Sequence, residues 1–197
     1  MAMKPLKIIK SLVSLALFAA ILIAAWWGYN KHIKTPERDR DRTAAVEADM
    51  GEGEWQAALD KLDAIESEPD LKDFVKEKRF ECHVRLAHEL MTKRVVESEQ
   101  KWHEAKRRAR HLEERRDDVA AGKMDEYKAR LAEYRDRAKT YKERCHKHAR
   151  TCLEHLDAAE TYGTLSPRDM RIRSNAYMTL GDTNAAKEWM KKAASQD

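Results

Sequence analysis

The densest gathering of soft metal donors in the chain is Cys145, His148, Cys152 and His155, a C-x2-H-x3-C-x2-H run. Thiolate and imidazole are the ligands that zinc and copper prefer, and helical spacing places all four on one face. Four donors spread along ~15 Å of a single helix cannot surround one ion, so at most two neighbours could serve, completed from a facing segment. His88 and Met91 are the donors expected there, opposite His155 and Cys152. The competing reading puts the same residues in a helical packing seam, where unpaired cysteine is commonly buried as a small hydrophobe. No C-x-x-C-H run occurs, which argues against covalent haem attachment, and no cofactor is expected.

A second candidate is electrostatic. KRRARHLEERR, Lys106 to Arg116, is the densest basic run, with Trp102 and His103 just upstream. Such a patch could bind nucleic-acid or lipid phosphate. Glu104, Glu113, Glu114, Asp117 and Asp118 interleave with it at helical spacing, however, giving the i to i+4 pairs of a solvated helix surface. Nucleic acid is therefore not the expected partner, although Arg107, Arg108 and Arg110 would carry the contact if it were. For catalysis the chain offers no nucleophile elbow, no H-E-x-x-H, no P-loop and no dinucleotide fingerprint. It is not expected to be an enzyme.

These residues need long helices to position them, and the composition supplies them. Of 197 residues 38% are charged and 42% hydrophobic, with 6 Gly and 4 Pro, which favours helix over a turn-rich β fold. Net charge is only +4, the difference between 39 basic and 35 acidic side chains, so the global balance pulls weakly on polyanions. From Asp70 to Ala121 neither Gly nor Pro interrupts the chain. Along this stretch Phe80, Val84, Ala87, Met91, Val95, Ser98, Trp102, Ala105, Ala109, Leu112, Arg116 and Val119 are separated almost everywhere by alternating fours and threes. Beyond Gly122, the series Met124, Tyr127, Leu131, Tyr134, Ala138, Tyr141, Cys145, His148, Cys152, His155, Ala159 and Tyr162 alternates without a slip. Two heptad seams joined by a tight turn at 121–122 predict an antiparallel coiled-coil hairpin over about 70–162. Trp102 would then meet Tyr141, Ala105 Ala138, Leu112 Leu131 and Val119 Met124. A single long helix zipped to another copy is the rival arrangement, so homo-oligomerisation stays open.

Ser166 and Pro167 read as the N-cap and first residue of a C-terminal helix pair, 166–196. Within it Ala176, Tyr177, Leu180, Gly181, Asp182, Ala186 and Ala193 fall where a tetratricopeptide repeat places its packing residues and inter-helix turn. GEWQAALDKLDAIESEP, with Gly53, Trp55, Ala58, Leu62 and Pro69, resembles the second helix of another such unit. The resemblance to the tetratricopeptide-repeat family covers residues about 44–69 and 167–195. It implies helix-pair packing and protein binding, with Trp55, Tyr177 and Trp189 as the interaction candidates. No full set of 34-residue repeats is present, because the hairpin replaces the middle.

The N-terminal region carries twenty residues without formal charge between Lys10 and Lys31. At ~1.5 Å per residue that is ~30 Å of helix, the thickness of a bilayer's hydrocarbon core. Trp26, Trp27 and Tyr29 resemble an interfacial aromatic belt, and their position argues against signal-peptide cleavage after Ala25. Residues 1–30 are accordingly expected to be an uncleaved anchor, 31–42 a juxtamembrane linker and 43–197 a helical body, with Thr43 capping its first segment. The expected fold class is all-α: a transmembrane helix, tetratricopeptide-like helix pairs and a long coiled-coil hairpin. The expected location is a bacterial inner membrane, single-pass, with an extracytoplasmic C-terminal domain. The expected role is a scaffold or accessory subunit whose partners are the lipid bilayer and other subunits of a membrane complex. Metal binding or redox sensing through the Cys/His seam is the alternative, and a bridge from Cys82 to Cys145 or Cys152 is the one disulfide that spacing permits.

Overall fold

A computed structural model of the chain describes residues 18–30 and 35–196. Residues 1–17 of the expected anchor and 31–34 of the expected linker lie outside the described residues. No strand occurs among the described residues, so the all-α expectation holds. Contacts divide the chain into two units, residues 1–53 and 54–197.

In the first unit α1 covers residues 18–30 and α2 Thr35–Glu52. Among the described residues no helix is long and apolar enough to cross a membrane. Phe18, Ile21, Leu22, Ile23, Trp26, Trp27 and Tyr29 of α1 are each between 53% and 67% exposed. The helix α2 departs from the expected linker by starting at Thr35 rather than after Thr43. Pro36 is harmless in a first helical turn, where its missing N–H has no partner to lose. Thr35 Oγ1 donates to the Asn30 carbonyl at 2.6 Å. Thr43 is not a cap: its hydroxyl turns back to the Arg40 carbonyl at 3.0 Å, as a threonine inside a helix does.

The second unit is built on one long antiparallel pair. Its first arm is α4, Lys72–Glu89, a π turn over Leu90–Val95 and α5, Val96–Glu114; its second is α6, Met124–Tyr162. The short helix α3, Trp55–Ile65, packs on α4 through Ala58, Leu59, Leu62 and Ile65. In the C-terminal pair, α7 (Pro167–Leu180) lies against α6 and α4, and α8 (Thr183–Ala194) packs on α7. The core runs through this junction, from Ala87, Met91 and Val95 across Cys152, Leu156 and Ala159 to Leu165, Met170, Ala176 and Ala193.

Every residue of the second seam, Met124 to Tyr162, is buried or half-buried, and on the first arm Arg116 alone is exposed. Three departures from the expected hairpin have physical causes. The connection is wider than a tight turn at 121–122, because α5 ends at Glu114 and two short 3-10 turns, Arg116–Asp118 and Ala121–Lys123, complete it. Asp117 and Asp118 would oppose the helix dipole at the end of α5, whereas Asp125 and Glu126 favour the start of α6. The π turn lies where the first seam takes two successive fours, Ala87 to Met91 to Val95. One extra residue per turn absorbs that surplus and keeps both ends of the arm facing α6. Below it the register shifts, so His155 meets His83 rather than His88.

Two glycines are dictated by geometry. Gly181 ends α7 in the left-handed region at φ 87°, which a side chain disfavours. A Cβ on Gly163 would lie 2.8 Å from the Phe80 ring, which covers the exit of α6.

Candidate functional site

The junction where α3, α4, α6 and α7 meet gathers the polar side chains that the helices bury. Arg79 of α4 is 7% exposed. Its guanidinium donates to Glu66 Oε1 at 3.1 Å and Oε2 at 3.0 Å, to Asp63 Oδ1 at 2.5 Å and to the Tyr162 hydroxyl at 2.8 Å. One planar fork thus ties the end of α3 to the end of α6, the bidentate geometry that arginine offers and lysine does not. One turn along α4, His83 stacks on Tyr162 with centroids 6.1 Å apart and planes 4° from parallel.

His83 and His155 face each other Nδ1 to Nδ1 at 3.0 Å. Their centroids stand 5.3 Å apart, about as far as two imidazoles at that separation can reach when the nitrogens point straight at one another. That is an N–H···N hydrogen bond, so one ring carries its proton on Nδ1 and the other leaves Nδ1 bare. A tetrahedral zinc ion shared by the two rings would hold the nitrogens ~3.3 Å apart with both lone pairs aimed at the ion rather than at each other. Burial, the facing His155 and the Arg79 cation push His83 down to about 4, and burial lowers His155 as well.

His88, expected beside this pair, instead meets Asp169 of α7, Nε2 to Oδ1 at 2.7 Å. Asp169 Oδ2 accepts from the Ser166 N–H at 3.0 Å and hydroxyl at 2.6 Å, while Ser166 Oγ caps the Asp169 N–H. These groups border a cleft of about 410 Å³ whose wall includes Phe80, Val84, Arg85 and Arg168. Arg173 of α7, 3% exposed, reaches Asp157 at 2.9 Å and Glu160 at 2.8 Å on α6. Its guanidinium lies 4.3 Å from the centre of the Trp189 ring.

The Cys/His seam is dispersed among these contacts. The Cys145 thiol points to the Val95 carbonyl at 3.8 Å, Cys152 is fully buried in the core, and His155 is taken by His83. His148 is lowered by burial and by Arg94, Lys147 and Arg144, cations that repel a metal as they repel a proton. Among the described residues no three of His, Cys, Asp and Glu converge on a point where an ion could sit. All three cysteines are buried free thiols. Desolvation pushes Cys82 to about 11 and Cys152 to about 12, far from the thiolate that metal or redox chemistry uses.

Of the interaction candidates, Trp55 is half-buried with Arg85 5.8 Å from its ring centre, and Tyr177 is half-buried on α7. Trp189 is half-buried with two cations over its ring, Arg173 at 4.3 Å and Lys192 Nζ at 4.0 Å from the centre. Trp26, Trp27 and Tyr29 lie exposed at the end of α1. Spacing alone does not single out Arg79 and His83, which flank the first seam, or Asp169 and Arg173, which lie on α7 outside both seams. The available signal was Arg79 and His83 at i, i+4 beside Phe80 and Val84, a polar edge on a helix with more than one neighbour. Compared with known protein families, curated proteins and solved structures, the chain matches none.

Proposed function

We propose that this chain is a membrane-tethered adaptor: α1, with the uncharged residues before it, sits in the bilayer, and the helical unit from residue 54 onward binds other subunits of a membrane complex. One observation carries the reading. Seven large apolar side chains on α1 are more than half exposed, a surface that water penalises at about 25 cal/mol per Å² and that lipid accepts. The uncharged run from Ser11 to Asn30 has the length for a span, and its terminal tryptophans suit the interface.

The body is proposed as tetratricopeptide-like helix pairs joined by a coiled-coil hairpin. Support comes from Ala176, Ala186 and Ala193, buried where α7 and α8 approach, and from the left-handed Gly181 between them. The alternating seams of the long arms support the coiled coil. Its mechanism is helix-face recognition, in which a partner segment buries apolar surface against a rigid frame. Fractionation of cells expressing the full chain tests the tether. The protein is expected in the membrane fraction after a carbonate wash and released when residues 1–30 are deleted. Recovery of the full chain in the aqueous fraction would remove the proposal.

A further inference from the structure

The two sides of the α5–α6 rod handle charge differently. On one side three cations are answered within their own helix: Arg108 pairs with Glu104, Lys101 with Glu97 at 2.5 Å and Arg137 with Glu133 at 2.5 Å, while Arg144 beside them lies over the Tyr141 ring. The other side is a shallow groove between the helices, bordered by Lys106 and Arg110 on α5 and by Lys139 and Lys142 on α6. Among the described residues none of these four has a carboxylate within ion-pair distance. Two of them rest on Trp102 instead, Lys106 at 5.6 Å and Lys142 at 6.0 Å from the ring centre. The one acid of the groove, Glu113, is engaged by Arg135 through Nε at 3.2 Å and Nη2 at 2.5 Å. Ala109 and Ala138 line the same groove beside Trp102.

We infer that this groove is the docking site for an acidic amphipathic helix of a partner protein, with Lys106, Arg110, Lys139 and Lys142 meeting its carboxylates and the alanines receiving its apolar edge. The inference rests on the adaptor reading and gives it a surface. Lys106 and Arg110 stand one helical turn apart, ~6 Å along the axis, and Lys139 and Lys142 nearly so. A third helix lying between them presents Glu or Asp at i, i+3 and i+7 with matching rise. Small residues at the groove floor let a helix backbone approach closely. A nucleic acid would use the cations but not the alanine floor, and the Trp102 ring on which a base could stack already lies under Lys106 and Lys142. That difference favours the protein helix over nucleic acid or a lipid surface.

The test uses the full chain in neutral detergent and fluorescence anisotropy of a labelled synthetic helix with Glu at i, i+3 and i+7 and Leu and Ala on the adjoining face. Competing probes are the same helix with Lys for Glu, a single-stranded oligonucleotide and vesicles of anionic lipid. The acidic helix is expected to bind at least tenfold more tightly than the basic one. Lys139→Glu/Lys142→Glu is expected to weaken it at least tenfold, while Lys101→Glu/Arg137→Glu, the same charge change on the opposite side, weakens it less than threefold. Circular dichroism and the melting midpoint verify that each variant is folded. Equal losses in the two variants, no preference for the acidic helix, or tighter binding of the oligonucleotide or vesicles would each overturn the inference. The adaptor reading would stand if a partner still co-purified with Lys139→Glu/Lys142→Glu, and would fall with it if the wild-type chain recovered none.

Discussion

The His83–His155 hydrogen bond makes the stability of the helical body depend on pH in a defined direction. His83 is held at about 4 against an ordinary 6.5 by burial, by the facing ring and by Arg79, with Asp63 acting the other way. His155 is lowered by burial, with Glu154 opposing. Both folded values lie below the unfolded ones, so between them the unfolded chain binds more protons and stability rises with pH. The stabilisation is complete above pH 6.5, is eroded as pH falls toward about 4, and is gone below. For His83 alone the gap corresponds to about 3 kcal/mol, and partial access of water brings the expected figure to about 2 kcal/mol. Carboxylates titrate in the lower part of the same window, so the control is His83→Asn/His155→Asn, whose amides can hydrogen-bond to one another but cannot ionise. Urea unfolding followed by circular dichroism, from neutral pH down to about 4.5, should show the wild type losing about 2 kcal/mol more than the double variant. Parallel pH curves for the two would refute the neutral pairing.

The other junctions give sharper single-site expectations. Gly163→Ala should cost about 1–2 kcal/mol, because the Phe80 ring at 2.8 Å must move; chemical denaturation measures it, and a neutral result would mean the ring is loosely held. Ser166→Ala removes half of a capping box and should cost about 1 kcal/mol by the same assay. Arg173→Met keeps the stem but loses the ties to Asp157, Glu160 and Trp189, and should lower stability by about 1–3 kcal/mol and shift the tryptophan emission. Cys82 and Cys152 should react with a thiol reagent at mildly alkaline pH only after denaturation, since both are fully buried and their thiolates disfavoured; rapid modification of the folded protein would contradict this placement.

The periodicity of the chain carried the long elements well. Alternating threes and fours from Met124 to Tyr162 identified the buried face of α6, because a helix with one principal neighbour buries one stripe. The π turn falls where the first seam takes two successive fours, at Ala87, Met91 and Val95, but spacing alone does not say whether a slip is absorbed by a π turn, a kink or a change of neighbour. Polar residues at the junction were harder to see. Ala149 and Leu156 are buried beside the predicted stripe because α6 meets α7 as well as α4, and which helix adds that second contact is a tertiary fact. His88 was misassigned for the same reason: the π turn moves it out of the His155 register and α7 supplies Asp169. The Cys/His run illustrates how one pattern serves two chemistries, since a ligand face and a seam of small or flat residues have the same spacing.

A tethered body that holds other subunits must leave the membrane together with them. The most direct measurement is light scattering of the full chain extracted from its own membranes in mild detergent, with every protein in the peak identified. A complex of fixed stoichiometry containing at least one other protein is predicted, lost from the membrane fraction when residues 1–30 are removed. A detergent-free monomer, or a chain recovered alone at every extraction condition, would contradict it.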